Sequence, residues 1–120
     1  MDNELKTQME DCIFCKITAG EIMTNFVAEK RDVLAFYDTN PQASTHILIL
    51  PKQHIRSFLD IKSTQSEIIW KMIEMAQSLI KKFNLGQAFK MTFNGGKYQH
   101  VPHLHWHLLS DILVQKGGVR

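Results

Sequence analysis

Pro102-His103-Leu104-His105-Trp106-His107-Leu108-Leu109 places three of the chain's six histidines at alternate positions between apolar residues. Successive side chains of a strand point to opposite faces, so this segment, as a strand, puts the three imidazoles on one side and Leu104, Trp106 and Leu108 on the other. The apolar side is large enough to be core. A half-buried strand with polar residues outward explains the alternation, but not why all three polar positions are histidine. At ~3.3 Å per residue, His103 and His107 of a flat strand stand ~13 Å apart, whereas zinc needs each nitrogen within ~2.1 Å. Such a row suits divided labour better than one shared metal. One ring can attack as a nucleophile while its neighbours donate to the attacked group, because neutral imidazole is nucleophilic near neutral pH and leaves readily afterwards.

Outward from this stretch the chain has an α+β order without internal repeats. Asp11 to Thr18 has a short helical pattern closed by Gly20, and Phe26 to Glu29 and Val33 to Tyr37 read as strands of a hairpin turning at Lys30-Arg31-Asp32. Asp38-Thr39-Asn40-Pro41 is a turn. His46-Ile47-Leu48-Ile49-Leu50, stopped by Pro51, is apolar enough for a central strand buried on both faces. Thr64 and Glu67 suggest a capping box, and Ile68, Met72, Met75, Ala76, Leu79 and Phe83 follow at helical spacing to a stop at Leu85-Gly86. The Met-rich stripe reads as core or subunit contact. Ala88 to Phe93 is a further strand, separated from the histidines by the loop Asn94-Gly95-Gly96-Lys97-Tyr98-Gln99.

With 120 residues, 44% of them hydrophobic, the chain fits one domain over residues 11–120 behind a loose N-terminal arm of residues 1–10. The formal charge of +2 is scattered, without a basic run, which argues against duplex nucleic acid as a partner. No apolar stretch approaches the ~20 residues of a membrane span, and the polar start is unlike a signal peptide, so the chain reads as cytoplasmic. In that compartment Cys12-Ile13-Phe14-Cys15 favours a metal pair or a redox motif over a structural disulfide. Two small hydrophobes packed in a core remain the plainer reading.

The run His103 to Leu109 resembles the signature of the histidine triad (HIT) superfamily. The resemblance extends through Cys12-Ile13-Phe14-Cys15-Lys16-Ile17, Leu34-Ala35-Phe36-Tyr37-Asp38, Pro41-Gln42-Ala43, Thr45 to Lys52 and His54, covering about residues 11 to 110. Pro41-Gln42-Ala43 and Thr45-His46 look most like the nucleoside phosphoramidase branch. The resemblance implies an α+β HIT-like fold, an antiparallel sheet of about five strands with one long and one short helix. It implies that His105 attacks the α-phosphate of a purine nucleotide or nucleotide conjugate, forming a nucleotidyl-histidine that water cleaves. His107 would donate to a phosphate oxygen or fix the nucleophile's ring, Gln99 would hold a phosphate oxygen or the leaving group, Asn94 would support the phosphate loop, and His46 would orient the triad. Asp38 would accept from the ribose hydroxyls, unless it serves only its turn, with Phe14, Ile17, Phe36, Tyr37, Thr39 and Leu48 walling the base.

The pattern also departs from the family. Many members carry Gly-Gln-Ser or Gly-Gln-Thr where this chain has Tyr98-Gln99-His100, so the hydroxyl that protonates the leaving group is missing. His100 is either a replacement general acid or an exposed loop histidine. Some relatives hold a structural zinc on a Cys-x-x-Cys pair and two histidines, here Cys12, Cys15, His54 and His103. Homodimers are usual in the superfamily, and helix 64–83 with Ala88 to Phe93 offers a surface for one. Three functions share these residues: a phosphoramidase, a dinucleoside polyphosphate hydrolase, and a nucleotide-binding or protein-interaction module with little turnover.

Overall fold

The computed structural model describes residues 9–114, so the expected arm before Met9 and the end of the chain after Val114 lie outside the described residues. Five strands form one antiparallel sheet: β1 (Phe26–Glu29), β2 (Val33–Tyr37), β3 (Thr45–Pro51), β4 (Lys90–Thr92) and β5 (Trp106–Ser110), in the order β1-β2-β3-β5-β4. A short helix, α1 (Ile13–Thr18), and a long one, α2 (Ser66–Lys82), complete the expected α+β architecture. Among the described residues, no helix is long and apolar enough to cross a membrane.

Strand alternation splits the sheet between a core face and a site face. Val33, Ala35, Ile47, Ile49 and Leu108 pack with Met72, Met75, Ala76 and Leu79 of α2. Leu34, Phe36, Leu48 and Leu50 face the other way, against Phe14 and Ile17 of α1. β3 is buried along its whole length, as its apolar run requires, and lies centrally between β2 and β5.

Both helices end through local backbone chemistry. After α1, Gly20 takes a φ of +81° and donates to Ile17 O while Glu21 donates to Lys16 O, the expected glycine stop. After α2 the left-handed position falls to Asn84 (φ 56°), not to the expected Gly86, with Asn84 donating to Lys81 O and Leu85 to Ile80 O. The expected capping box is also displaced. A 3₁₀ turn, Ser63–Gln65, precedes α2, and Gln65 Oε1 accepts from the Lys62 N–H at 2.8 Å. The helix then starts at Ser66 with no side-chain cap.

The two strands expected near the C-terminus are shorter than their apolar patterns. Ala88 to Phe93 pairs only over Lys90–Thr92, leaving Phe89 and Phe93 about half exposed, Phe93 stacked on Phe58. The histidine segment enters the sheet only at Trp106, because the Leu104 N–H is taken at 2.6 Å by Ile55 O. Its sidedness survives: Leu104 and Leu108 are buried in the helix-side core and Trp106 packs against it.

Candidate active site

The break before β5 separates the three histidines by role. His103 is fully buried, and its Nε2–H donates to Pro51 O at 2.8 Å, which leaves Nδ1 as the bare nitrogen. His105 does the reverse. Its Nδ1–H donates to His103 O at 2.6 Å, so its lone pair is on Nε2. Phe14 stands edge-on to His105 with ring centroids 5.0 Å apart, closing one side of that ring.

His107 is set by a chain of donors that starts at the backbone. The Gln42 N–H donates to His46 Nδ1 at 3.1 Å, so neutral His46 carries its proton on Nε2. That Nε2 is 2.8 Å from His107 Nδ1 and 3.4 Å from Asp38 Oδ2. His107 Nδ1 therefore accepts, and its proton sits on Nε2, a buried donor without a protein partner. A nucleophilic nitrogen on one ring thus stands beside an uncommitted donor on the next, with centroids 5.1 Å apart.

Burial keeps these rings neutral. It pushes His107 down to about 4, helped by charge on His105 and His46, and it also lowers His105 and His46. His105 is lowered further by charge on His100 and His46, while its bond to His103 O and the Asp38 carboxylate act the other way. The same carboxylate partly offsets burial at His46.

His46, His105 and His107 line a cleft of about 570 Å³. Phe14, Ile17, Phe36 and Leu48 are apolar residues of its lining, and Asp38, Thr39, Asn94 and His100 also line it. Two expected members are elsewhere. Tyr37 follows Phe36 in β2, so alternation sends it to the opposite face, against the helix-side core. Gln99 does not line the cleft; its Nε2 donates to Arg56 O at 2.7 Å and Val101 O at 3.1 Å. Asp38 performs its turn role, with Oδ1 accepting from the Asn40 N–H at 2.9 Å, while its other oxygen turns toward His46.

Behind His105, Cys12, Cys15, His54 and His103 place one ligand atom each within 4.8 Å of one another. His103 Nδ1 is 3.4 Å from Cys12 Sγ, 3.6 Å from Cys15 Sγ and 3.2 Å from His54 Nδ1, and Cys15 Sγ is 3.2 Å from His54 Nδ1. Donors around a tetrahedral zinc, with bonds of about 2.0–2.3 Å, stand ~3.3–3.8 Å apart. The residues fit such an ion. The bond from His103 to Pro51 O also turns its bare nitrogen inward, as a metal-bound imidazole requires. Burial, then the neighbouring Cys12, push the Cys15 thiol up to about 12, so left to itself that thiol stays protonated.

A family model described as "Scavenger mRNA decapping enzyme C-term binding" matches residues 11–119. "Protein HitA" of Neisseria gonorrhoeae is 37% identical over 103 residues, spanning 84% of this chain and 96% of that protein. The chain belongs to the histidine triad superfamily. Within it, "Adenosine 5'-monophosphoramidase HINT3" of Danio rerio is 36% identical over 82% of this chain, which spans 64% of that longer protein. The crystal structure of a HIT family hydrolase from Legionella pneumophila Philadelphia 1 superposes with a TM-score of 0.80 at 39% identity, covering 83% of this chain and 92% of that one. A histidine triad protein from Clostridium difficile gives 0.79 at 40% identity, over 83% and 90%.

The HIT cleft also contains residues that the sequence reading left without a role. Ile22, Met23 and Thr24 form a rim, and Lys90 and Thr92 of β4 a side wall. The wall residues follow from register, since Thr92 pairs with His107 and Lys90 with Leu109. Gln42 acts through its backbone N–H, which residue type does not announce.

Proposed function

We propose that this HIT protein hydrolyses purine nucleotide conjugates of the nucleoside phosphoramidate type at the α-phosphate, through a nucleotidyl intermediate on His105. The observation that carries the reading is the bond from His105 Nδ1 to His103 O, which leaves the Nε2 lone pair beside the uncommitted Nε2–H of His107. His105 attacks phosphorus, the bond to the leaving group breaks, and the His107 proton stabilises charge on a phosphate oxygen. Water then attacks the same phosphorus and the electron pair returns to His105. Phe14, Ile17, Phe36, Thr39 and Leu48 enclose the base, Asp38 accepts from the ribose hydroxyls, and Asn94 borders the phosphates. Gln99 contributes by tying the loop to Arg56. The relationship to an adenosine monophosphoramidase supports the substrate class.

Cys12, Cys15, His54 and His103 would hold one zinc, whose charge two thiolates cancel and which would tie α1 to the triad segment. Its role is structural. We further propose a homodimer, with edge strand β4 and the exposed Phe89 and Phe93 near the contact. The catalytic reading is tested by comparing turnover of an adenosine phosphoramidate with that of diadenosine tetraphosphate, alongside AMP binding. Faster phosphoramidate turnover is expected. A preference for the tetraphosphate would make the chain a dinucleoside polyphosphate hydrolase, and AMP binding without turnover of either would make it a binding module.

A further inference from the structure

His100 is the one cleft-lining histidine with an exposed ring, and that ring makes no hydrogen bond among the described residues. Its backbone, by contrast, is held on both sides. The preceding turn Gly96–Tyr98 is closed by the Gln99 N–H donating to Gly96 O, and the Gln99 side chain bridges Arg56 O and Val101 O across His100. An anchored backbone carrying a free, water-accessible imidazole at the mouth of a cleft suits proton delivery. The interior rings have other parts: His105 has its proton bound to His103 O, His46 is committed to His107, and the one uncommitted interior donor, His107 Nε2–H, is the one assigned above to a phosphate oxygen. His100 is also close enough that its charge is felt at His105.

We propose that His100 is the general acid for the leaving group, and that it suits the site to conjugates whose leaving group is a poor one, such as an alkylamine. This rests on the hydrolytic reading above. As His105 Nε2 bonds to phosphorus, the phosphorus–nitrogen bond breaks, its electron pair goes to the departing nitrogen, and that nitrogen takes the proton of imidazolium His100. In the second half, neutral His100 takes a proton from the water that attacks phosphorus, the bond to His105 breaks, and its electron pair returns to the ring. Acid and base states are thereby restored.

A leaving group that departs readily as an anion needs no proton, so the dependence on His100 scales with leaving-group basicity. The test compares adenosine alkylphosphoramidate with the 4-nitrophenyl ester of AMP in wild type, His100→Gln and His100→Ala, with AMP binding and Tm as folding controls. The variants are expected to lose ~10²–10⁴-fold in kcat/KM on the alkylamine substrate and less than about tenfold on the nitrophenyl ester. Equal losses on both substrates would show a structural role and overturn the assignment, as would no loss on either. Wild type inert toward both would remove the hydrolytic reading and this inference with it.

Discussion

His46 Nε2 lies 2.8 Å from His107 Nδ1, and the Gln42 N–H behind it fixes which nitrogen carries the proton. The free donor on His107 is therefore set by a backbone amide acting through a second ring. His46→Phe keeps the ring's bulk but removes the bond, freeing His107 to change tautomer. Turnover should fall by the order of 10²-fold, as when an oriented donor is lost, with KM little changed. The double variant with His107→Phe should be no worse than His107→Phe alone. Additive losses would show that His46 acts independently.

Asp38 serves its turn and is proposed to hold the ribose, and substitutions can separate the two. Asp38→Asn keeps an oxygen for the Asn40 N–H but loses the charge, whereas Asp38→Ala loses both. AMP binding by Asp38→Asn should weaken by about 1.5–3 kcal/mol, as for a charged hydrogen-bond partner, while a 2′,3′-dideoxy analogue changes little. Calorimetry with the two nucleotides decides it. Equal weakening would confine Asp38 to its turn and to His46.

The buried imidazoles make stability depend on pH. His107 is held down to about 4 and His46 below its usual value, in both cases first by burial. As pH falls through about 6.5 the unfolded chain takes up protons that the folded one still refuses. Their contribution is complete above that pH, erodes as pH drops, and for His107 levels only near 4. Urea midpoints should fall steadily from pH 7.5 to pH 5. A flat or rising trend would mean that these rings are charged when folded.

Purified protein should contain about one zinc per chain, and Cys12→Ser should lower Tm more than it lowers turnover per folded molecule. Cys12 also accepts the Cys15 N–H at 3.3 Å as the α1 cap, so the second probe is His54→Ala, which spares that cap. Metal analysis and calorimetry on both variants read the outcome. Metal-free wild type as stable as the loaded form would return the cysteines to a packing role.

The sheet and site were legible where one local rule governs them. Period-2 alternation correctly put Leu104, Trp106 and Leu108 on the core side, and the same rule excludes Tyr37 from the wall that holds Phe36. The cluster of Cys12, Cys15, His54 and His103 came from family resemblance rather than reach, because a flat strand would have kept His103 in line with its neighbours. What escaped depends on distant backbone partners. Ile55 O takes the Leu104 N–H and delays β5, Arg56 O takes the Gln99 amide, and Gln42 sets a tautomer through its main chain. Asn84 ended α2 ahead of Gly86 because asparagine tolerates the left-handed region and came first.

The central claim is that His105 Nε2 bonds to phosphorus. Its most direct test is rapid-quench mass spectrometry under alkaline conditions, with adenosine phosphoramidate as substrate, on wild type and on His105→Asn, which has similar bulk but no nucleophilic nitrogen. Wild type should gain one adenylyl group mapped to His105 during turnover, and His105→Asn should bind AMP but neither gain the group nor turn over. Near-normal turnover by His105→Asn, or an adenylyl group mapped to another residue, would contradict the account.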